Sequence, residues 1–220
     1  MPVGFPEFIE NPENRCPVIL LLDTSASMAG ASIEALNEGI QIFKQNLLED
    51  EQASLSVDVA IITFGNQGVQ CIQDFVGVHD FLPPTLQTGG MTPMGAAIDQ
   101  ALNLVETRKQ VYRQNHVDYY RPWIFLITDG APTDDWQAAS THVRSAEQQN
   151  KVSFFAVAVE GANLKVLRDI APPHRPPISL HGLNFRELFV WLSASVKRVS
   201  GSKVGEAVAL PAVGWGEVVS

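Results

Sequence analysis

The sequence VILLLDTSAS at residues 18–27 joins an unbroken apolar run to a loop rich in side-chain oxygen. A continuous apolar run such as Val18 to Leu22 is typical of a strand buried on both faces, as in a parallel sheet covered by helices. Asp23, Ser25 and Ser27 then follow at alternate positions. Because oxygen ligands on a tight loop suit a hard cation such as Mg²⁺, this segment predicts the start of a metal site.

Apolar strands and amphipathic helices alternate along the rest of the chain. Further strands are predicted at 55–64, 68–78, 123–128, 152–159 and 178–180, and helices at 32–50, from Thr92, from Asp134 to about 149, at 164–170 and from Phe185. This pattern indicates an α/β fold with three layers, in which helices flank a doubly wound, mostly parallel central sheet. Asp134 with Gln137 predicts a capped start for the helix that follows them.

One domain accounts for most of the 220 residues. We expect an N-terminal extension over residues 1–17, the domain over 18–201 and a C-terminal tail over 202–220. The tail packs on the domain or on a partner, as an edge strand, a loop or a binding arm. Arg108, Lys109 and Arg113 are expected on the solvent-exposed face of their helix.

The composition of the chain disfavours some classes of binding partner and indicates a cellular compartment. The formal net charge of −9 disfavours binding to nucleic-acid phosphates and docking on anionic lipid. No apolar stretch approaches the roughly 20 residues that span a bilayer. The start of the chain lacks the basic and apolar segments of a signal peptide, and only two cysteines are present. We therefore expect a cytoplasmic protein that does not associate with membranes.

A second apolar strand also ends in an acid, at Asp129-Gly130, and a third oxygen-rich segment is Thr92-Pro93. In open α/β sheets, ligands bind beyond the carboxyl ends of the strands, where the strand order reverses. If the two strands are neighbours there, Asp23 and Asp129 face one cavity. The predicted ligands of Mg²⁺, or of Mn²⁺ or Ca²⁺ in its place, are Asp23, Ser25, Ser27, Thr92 and Asp129. Since Mg²⁺ often retains water, such a site leaves a position for a carboxylate of a partner protein.

Each of these residues also has a simpler explanation. Asp23 and Ser25 are suited to cap the following helix, Thr92 to be the N-cap before Pro93, and Asp129-Gly130 to form an ordinary turn. Together these explanations require three unrelated oxygen-rich loops, so the joint metal site is favoured. A scaffold whose loops are capped without metal is the weakest of the alternatives.

An enzyme is the other alternative, as a Mg²⁺-dependent phosphate-handling hydrolase with Asp23 after the first strand. A haloacid-dehalogenase-like enzyme would have a second Asp where Ser25 stands. A phosphate-binding P-loop would have a lysine, which the Gly89-Gly90 loop lacks. The sequence therefore favours a protein that is not an enzyme.

The three segments, in order, resemble the metal-ion-dependent adhesion site of von Willebrand factor A domains, which have a Rossmann-like fold. The resemblance rests on Asp23 to Ser27, on Thr92 in Gly-Gly-Met-Thr-Pro and on Asp129 in Ile-Thr-Asp-Gly. It implies that Ser25, Ser27 and Thr92 are direct or nearly direct ligands, and that the two aspartates bind directly or through water.

More narrowly, the chain resembles bacterial cytoplasmic A-domain proteins of the tellurium-resistance TerY/YegL type. The segments that carry this resemblance are 15–17, 92–98, 120–136 and 185–189. It implies a non-enzymatic, metal-dependent protein-binding module that acts beside a Ser/Thr protein kinase and a PP2C-type phosphatase in stress, tellurium-resistance or defence signalling.

Overall fold

The computed structural model describes residues 8, 11, 13–65 and 67–219, which form one sheet with helices on both faces. Its strands are β1 (Cys16–Thr24), β2 (Val57–Gly65), β3 (Gly68–Gly77), β4 (Trp123–Thr128), β5 (Ser153–Ala158), β6 (Ile178–Leu180) and β7 (Gly216–Val218). They lie in the order β3-β2-β1-β4-β5-β6-β7, and the antiparallel strands β3 and β7 form the two edges. The predicted α/β architecture with a mostly parallel sheet is confirmed.

Six α-helices connect the strands of the described residues, and a short 3₁₀ helix, Ala26–Met28, lies in the loop after β1. The α-helices are α1 (Ala31–Leu48), α2 (Glu51–Ser56), α3 (Met94–Gln114), α4 (Gln137–Gln148), α5 (Leu164–Ile170) and α6 (Phe185–Ser200). The predicted helix over 32–50 and strand over 55–64 are present as α1 and β2, but the prediction missed a separate short helix between them. Asp50 accepts a hydrogen bond of 2.8 Å from the backbone N–H of Ala53 and caps this helix, α2, which continues to Ser56.

β1 is buried along its whole length, and its side chains alternate between two cores. Leu20 and Leu22 pack with the α1 and α6 side of the sheet, whereas Ile19 and Leu21 pack with the α3, α4 and α5 side. Successive side chains of a strand point to opposite faces, so a strand covered on both faces must be apolar at every position. This requirement explains the unbroken run at residues 18–22.

The strand order reverses between β1 and β4. From β1 the chain first adds β2 and β3 on one side and then crosses to add β4 on the other. β1 and β4 are parallel and directly paired, from Val18 beside Trp123 to Leu22 beside Ile127. The loops that follow these two strands therefore leave the same edge of the sheet side by side.

The C-terminal tail returns to the body of the domain. β7 pairs with β6, Trp215 is buried, and the indole N–H of Trp191 on α6 donates a hydrogen bond of 2.9 Å to the carbonyl oxygen of Pro211. The predicted boundaries at residues 17 and 201 stay predictions. Much of the expected extension at 1–17 lies outside the described residues, and β1 already begins at Cys16.

A buried ionic cluster lies near the amino ends of β1 and β2. The Asp58 carboxylate accepts hydrogen bonds from Arg108, at 2.8 Å, and from the Tyr112 hydroxyl, at 2.6 Å, and its other oxygen is 3.7 Å from Arg15. The expectation that Arg108 and Lys109 are solvent-exposed was wrong, because Arg108 pairs with Asp58 and Lys109 is only 5% exposed. Only Arg113 of the three is exposed.

Both cysteines are free, with Cys16 buried and Cys71 exposed. Among the helices that the structure describes, none combines the length and apolar character needed to cross a bilayer.

Candidate metal centre

The loop after β1 holds its oxygen atoms in a fixed arrangement. The backbone N–H of Ser25 donates a hydrogen bond of 2.8 Å to Asp23 Oδ1, and the Ser25 and Ser27 hydroxyls are hydrogen-bonded at 3.0 Å. Ser25 stands at the N-cap position of the 3₁₀ helix Ala26–Met28 but makes no side-chain cap hydrogen bond, and the N-cap position of α1 is Gly30, not Asp23 or Ser25. The simpler explanation of Asp23 and Ser25 as helix caps is therefore wrong.

The loop after β4 brings Asp129 to the same place. The Ser27 hydroxyl donates a hydrogen bond of 2.7 Å to Asp129 Oδ1, across 102 residues of sequence. Thr128 Oγ1 donates one of 2.5 Å to Asp23 Oδ2. Hydroxyl groups thus join the two acidic loops, which lie side by side because β1 and β4 are neighbours.

Thr92 lies beside both acidic loops. A Cβ atom built on Gly130 would be 3.2 Å from Thr92 Oγ1 and 3.4 Å from Asp23 Oδ2, so these two oxygens face the same small space. The N-cap of α3 is Pro93, with no capping side-chain hydrogen bond of its own. The explanation of Thr92 as the N-cap is therefore wrong, and its hydroxyl is not used to begin the helix.

Backbone hydrogen bonds tie the three loops together. Gly89 N–H donates to the Thr24 carbonyl oxygen at 2.9 Å, and Ala26 N–H donates to that of Gly90 at 3.3 Å. Thr133 N–H donates to the Thr92 carbonyl oxygen at 2.9 Å, and the Thr133 hydroxyl accepts from Thr92 N–H at 3.1 Å. The loop that carries Thr92 is therefore held between the other two.

Asp134 supplies the missing cap of α3. Its two carboxylate oxygens accept hydrogen bonds from the backbone N–H groups of Gly95 and Ala96, at 3.0 and 2.9 Å. The predicted role of Asp134 at the start of its own helix was wrong, since α4 has Trp136 at its N-cap position and Asp135 accepts from Gln137 N–H at 3.1 Å. Asp134 thus clamps the Asp129 loop onto the helix that follows Thr92.

The close approach of these elements depends on Gly95. A Cβ atom at this position would be 2.4 Å from the backbone carbonyl oxygen of Asp135, which is an impossible contact. Glycine is used here because it lets the two backbones touch.

The site concentrates buried negative charge. Burial raises the pKa of the Asp23 carboxyl above its ordinary value, and the charge of Asp129 raises it further, against hydrogen bonds from Ser25 and Thr128 that lower it. Burial also raises the pKa of Asp129. In both cases the cost is that of an anion removed from water, which a bound cation would offset.

The donor set fits a hard divalent cation. Two carboxylates and three hydroxyls converge from three loops, and Mg²⁺ is bound by oxygen ligands at roughly 2.1 Å. In the described parts of the chain, no group of three or more His, Cys, Asp or Glu side chains is placed to hold a metal. This set is of a different kind, because hydroxyl groups outnumber carboxylates.

Sequence reasoning missed two residues that shape the site, Thr128 and Thr133, and assigned a third, Asp134, to the wrong helix. Thr128 orients Asp23, Thr133 holds the backbone of Thr92, and Asp134 caps α3. Thr128 precedes Asp129 directly at the end of β4, and this position in the sequence could have indicated that its side chain lies beside the site. The contacts of Thr133 and Asp134 join segments about 40 residues apart, and no local pattern indicates them.

Comparison with solved structures finds the same fold in proteins of low sequence identity. The pilus adhesin SpaC of Lactobacillus rhamnosus GG has a TM-score of 0.68 at 13% identity, over 84% of this chain and 31% of its own. The manganese-loaded TRAP protein of Plasmodium vivax has a TM-score of 0.55 at 20% identity, over 82% and 73%. Proximal thread matrix protein 1 of the mussel byssus has 0.57 at 16%, over 84% and 48%. The chain thus spans about a third of the adhesin and about half of the byssus protein.

No curated protein matches the chain. The family model of the von Willebrand factor type A domain matches residues 18–187, which are most of the chain and include all five candidate ligands. The chain therefore belongs to the von Willebrand factor type A domain family.

Proposed function

We propose that this protein is a non-enzymatic module that binds another protein through a divalent cation. The cation is Mg²⁺, or Mn²⁺ or Ca²⁺ in its place, and the partner supplies an Asp or Glu carboxylate to it. The ligands on this chain are Asp23, Ser25, Ser27, Thr92 and Asp129. The observation that carries the proposal is the convergence of three separate loops, with Ser27 hydrogen-bonded to both Ser25 and Asp129.

The charge of the donor set favours capture of an acidic group. The cation, when bound, supplies an electrophilic position for one more oxygen ligand. Two carboxylates balance a divalent charge, while the three hydroxyls add oxygen atoms without adding charge. A donor set with only two charged ligands therefore repels an incoming carboxylate less than a set with three acidic ligands would. That the related fold of the Plasmodium vivax protein was solved loaded with manganese supports a divalent cation here.

The wider setting is also a proposal. We place the protein in the bacterial cytoplasm, in stress, tellurium-resistance or defence signalling, with a Ser/Thr kinase or a PP2C-type phosphatase as the partner. The segments at 15–17, 92–98, 120–136 and 185–189 support this narrower relationship by resemblance. The net charge of −9 supports a protein partner over nucleic acid or membrane.

Titration calorimetry with Mn²⁺ tests the metal centre. The wild-type protein should bind one ion, and Asp23→Ala and Ser27→Ala should weaken binding by at least tenfold. Asp99→Ala is the matched control, since Asp99 lies on α3 and pairs with His142 at 2.8 Å on the surface. Equal Mn²⁺ binding by the wild type and Asp23→Ala would contradict the ligand assignment.

Co-purification tests the protein-binding role. Tagged protein should retain its partner in Mg²⁺, release it in EDTA and fail to retain it as Asp23→Ala. The circular dichroism spectrum of each sample must be unchanged, so that loss of the partner is not loss of the fold. Capture that is the same with and without EDTA would reject metal-dependent binding even if the protein binds Mn²⁺.

A further inference from the structure

A cavity of about 450 Å³ lies at the end of the sheet opposite the metal centre. Its walls come from four parts of the chain: the second half of α3, the segment before β4, the turn before β5 and the tail at 204–205. These strands are parallel, and their amino ends are at this edge, whereas the metal loops follow carboxyl ends. The cavity is therefore separate from the proposed metal centre.

Four of the residues that line this basic cavity are cationic and one is acidic: Lys109, Arg113, Arg121 and Lys151, with Glu106. The buried Lys109 pairs with Glu106, with Nζ and Oε1 at 2.5 Å, and this pair is neutral overall. Three cations of the lining remain.

Two of the three remaining cations, Arg113 and Arg121, have neutral partners. Arg113 donates to the Tyr119 hydroxyl at 3.1 Å, and Arg121 donates to the Asn150 side-chain oxygen at 2.6 Å. Over the part of the chain that the structure describes, neither arginine nor Lys151 forms a salt bridge. No carboxylate of the described residues therefore pairs directly with these three charges, although Glu206 lines the adjoining pocket with Arg121, in a chain whose net charge is −9.

The negative ends of nearby helix dipoles compensate only part of this positive charge. α3 and α4 both end near the cavity, and each helix C-terminus is equivalent to roughly −0.5 charge. Two such ends offset about one of the three cations. Moreover, Arg121 and Lys151 belong to neither helix.

We propose that the basic cavity binds a phosphate-bearing anion. Guanidinium groups present planar pairs of donors that match phosphate oxygens, and a lysine adds a mobile point charge. The volume is within the range of small-ligand sites, about 300 to 1,000 Å³. The phosphate belongs either to a small polyphosphate or to a phosphorylated side chain of a protein, and the two sources share the same recognition chemistry.

Calorimetric titration of the full chain with inorganic pyrophosphate, and separately with a phosphoserine peptide, tests the proposal. EDTA in the buffer keeps the metal centre out of the measurement. Arg121→Gln and Lys151→Gln should each weaken binding by about tenfold or more, because each removes a charge-assisted hydrogen bond. Lys165→Gln, at an exposed lysine on α5 outside the cavity, is the matched control.

Binding of pyrophosphate identifies a small polyphosphate as the ligand class, and binding of the peptide alone identifies a phosphorylated protein; either result supports the site. The proposal is overturned if neither probe binds at millimolar concentration, or if Arg121→Gln and Lys151→Gln bind as tightly as Lys165→Gln. Thermal unfolding checks that each variant is folded, and Arg113→Gln replaces one that is not.

Discussion

Replacing Asp134 with alanine should loosen the metal centre although Asp134 is not a candidate ligand. The substitution removes both acceptors for the Gly95 and Ala96 N–H groups, which lie 3.0 and 2.9 Å from the carboxylate. It leaves the first turn of α3 without a side-chain cap, because Pro93 supplies none. It also removes one clamp between the Thr92 and Asp129 loops.

The size of the effect follows from these contacts. Loss of a capping side chain costs about 0.5 to 2 kcal/mol, and loss of a negative charge at a helix N-terminus a further 0.3 to 1 kcal/mol, roughly. Because Asp134 is half-buried and accepts two hydrogen bonds, we expect Asp134→Ala to lower the free energy of unfolding by about 2 kcal/mol. For a domain of this size that corresponds to a fall of about 4 to 8 °C in Tm. We expect about tenfold weaker Mn²⁺ binding, the range typical of residues that orient metal ligands.

Urea denaturation followed by circular dichroism measures the first quantity, and calorimetry with Mn²⁺ measures the second. Asp135→Ala is the control, since the side chain of this neighbouring and exposed aspartate accepts, within the described parts of the chain, a single local hydrogen bond from Gln137 N–H. Asp134→Asn should fall between the wild type and Asp134→Ala, because an amide keeps one acceptor. If Asp134→Ala is no less stable than Asp135→Ala, the carboxylate does not cap α3 and the reasoning is refuted.

Three further predictions concern the core. Asp58→Ala should lower the free energy of unfolding by about 3 to 5 kcal/mol, because it leaves buried cations without their carboxylate. Tyr112→Phe removes one hydrogen bond and should lower it by only about 2 kcal/mol. Equal losses of stability in urea denaturation would argue against the ion pairs. Gly95→Ala should destabilise the protein, although alanine in a helix is ordinarily favoured by about 1 kcal/mol, since its Cβ would meet the Asp135 carbonyl oxygen at 2.4 Å; a raised Tm would contradict this. Burial and the charge of Asp58 raise the pKa of the Cys16 thiol from 9.0 to about 12. The unfolded chain therefore releases this proton first, and the free energy of unfolding should fall as the pH rises from 9 to 12. Cys16→Ala should remove that part of the pH dependence, and iodoacetamide should label only Cys71 in the native protein; an unchanged profile or rapid labelling of Cys16 would refute the shift.

The sheet and the meeting of the two acidic loops could be predicted because they follow from local patterns. The unbroken apolar run before Asp23 indicates a strand covered on both faces, and a second such strand ends at Asp129. For parallel strands, that is enough to place both acids at one edge. The neighbouring position of β1 and β4 was the condition for this, and their register meets it.

The parts that could not be predicted depend on contacts between distant segments. Asp134 caps a helix that begins 40 residues earlier, and nothing near Asp134 indicates that this N-terminus competes successfully with the one next to it. Lys109 looks like a surface lysine in its own helix, but the neighbouring segments cover it. Asp50 is ambiguous for another reason: the apolar stripe of α1 ends at Leu47 and the short helix α2 carries no such stripe, so only the cap hydrogen bond reveals the new helix.

Because five strands of the sheet run in the same direction, the two ends of the molecule differ chemically. Aspartates gather where those strands finish, and lysine and arginine side chains gather near where two of them start. The two ends therefore carry local fields of opposite sign, in a chain whose net charge is negative. Such fields act on an approaching partner before contact, so that a cation is drawn to the aspartate loops and an anion to the basic cavity.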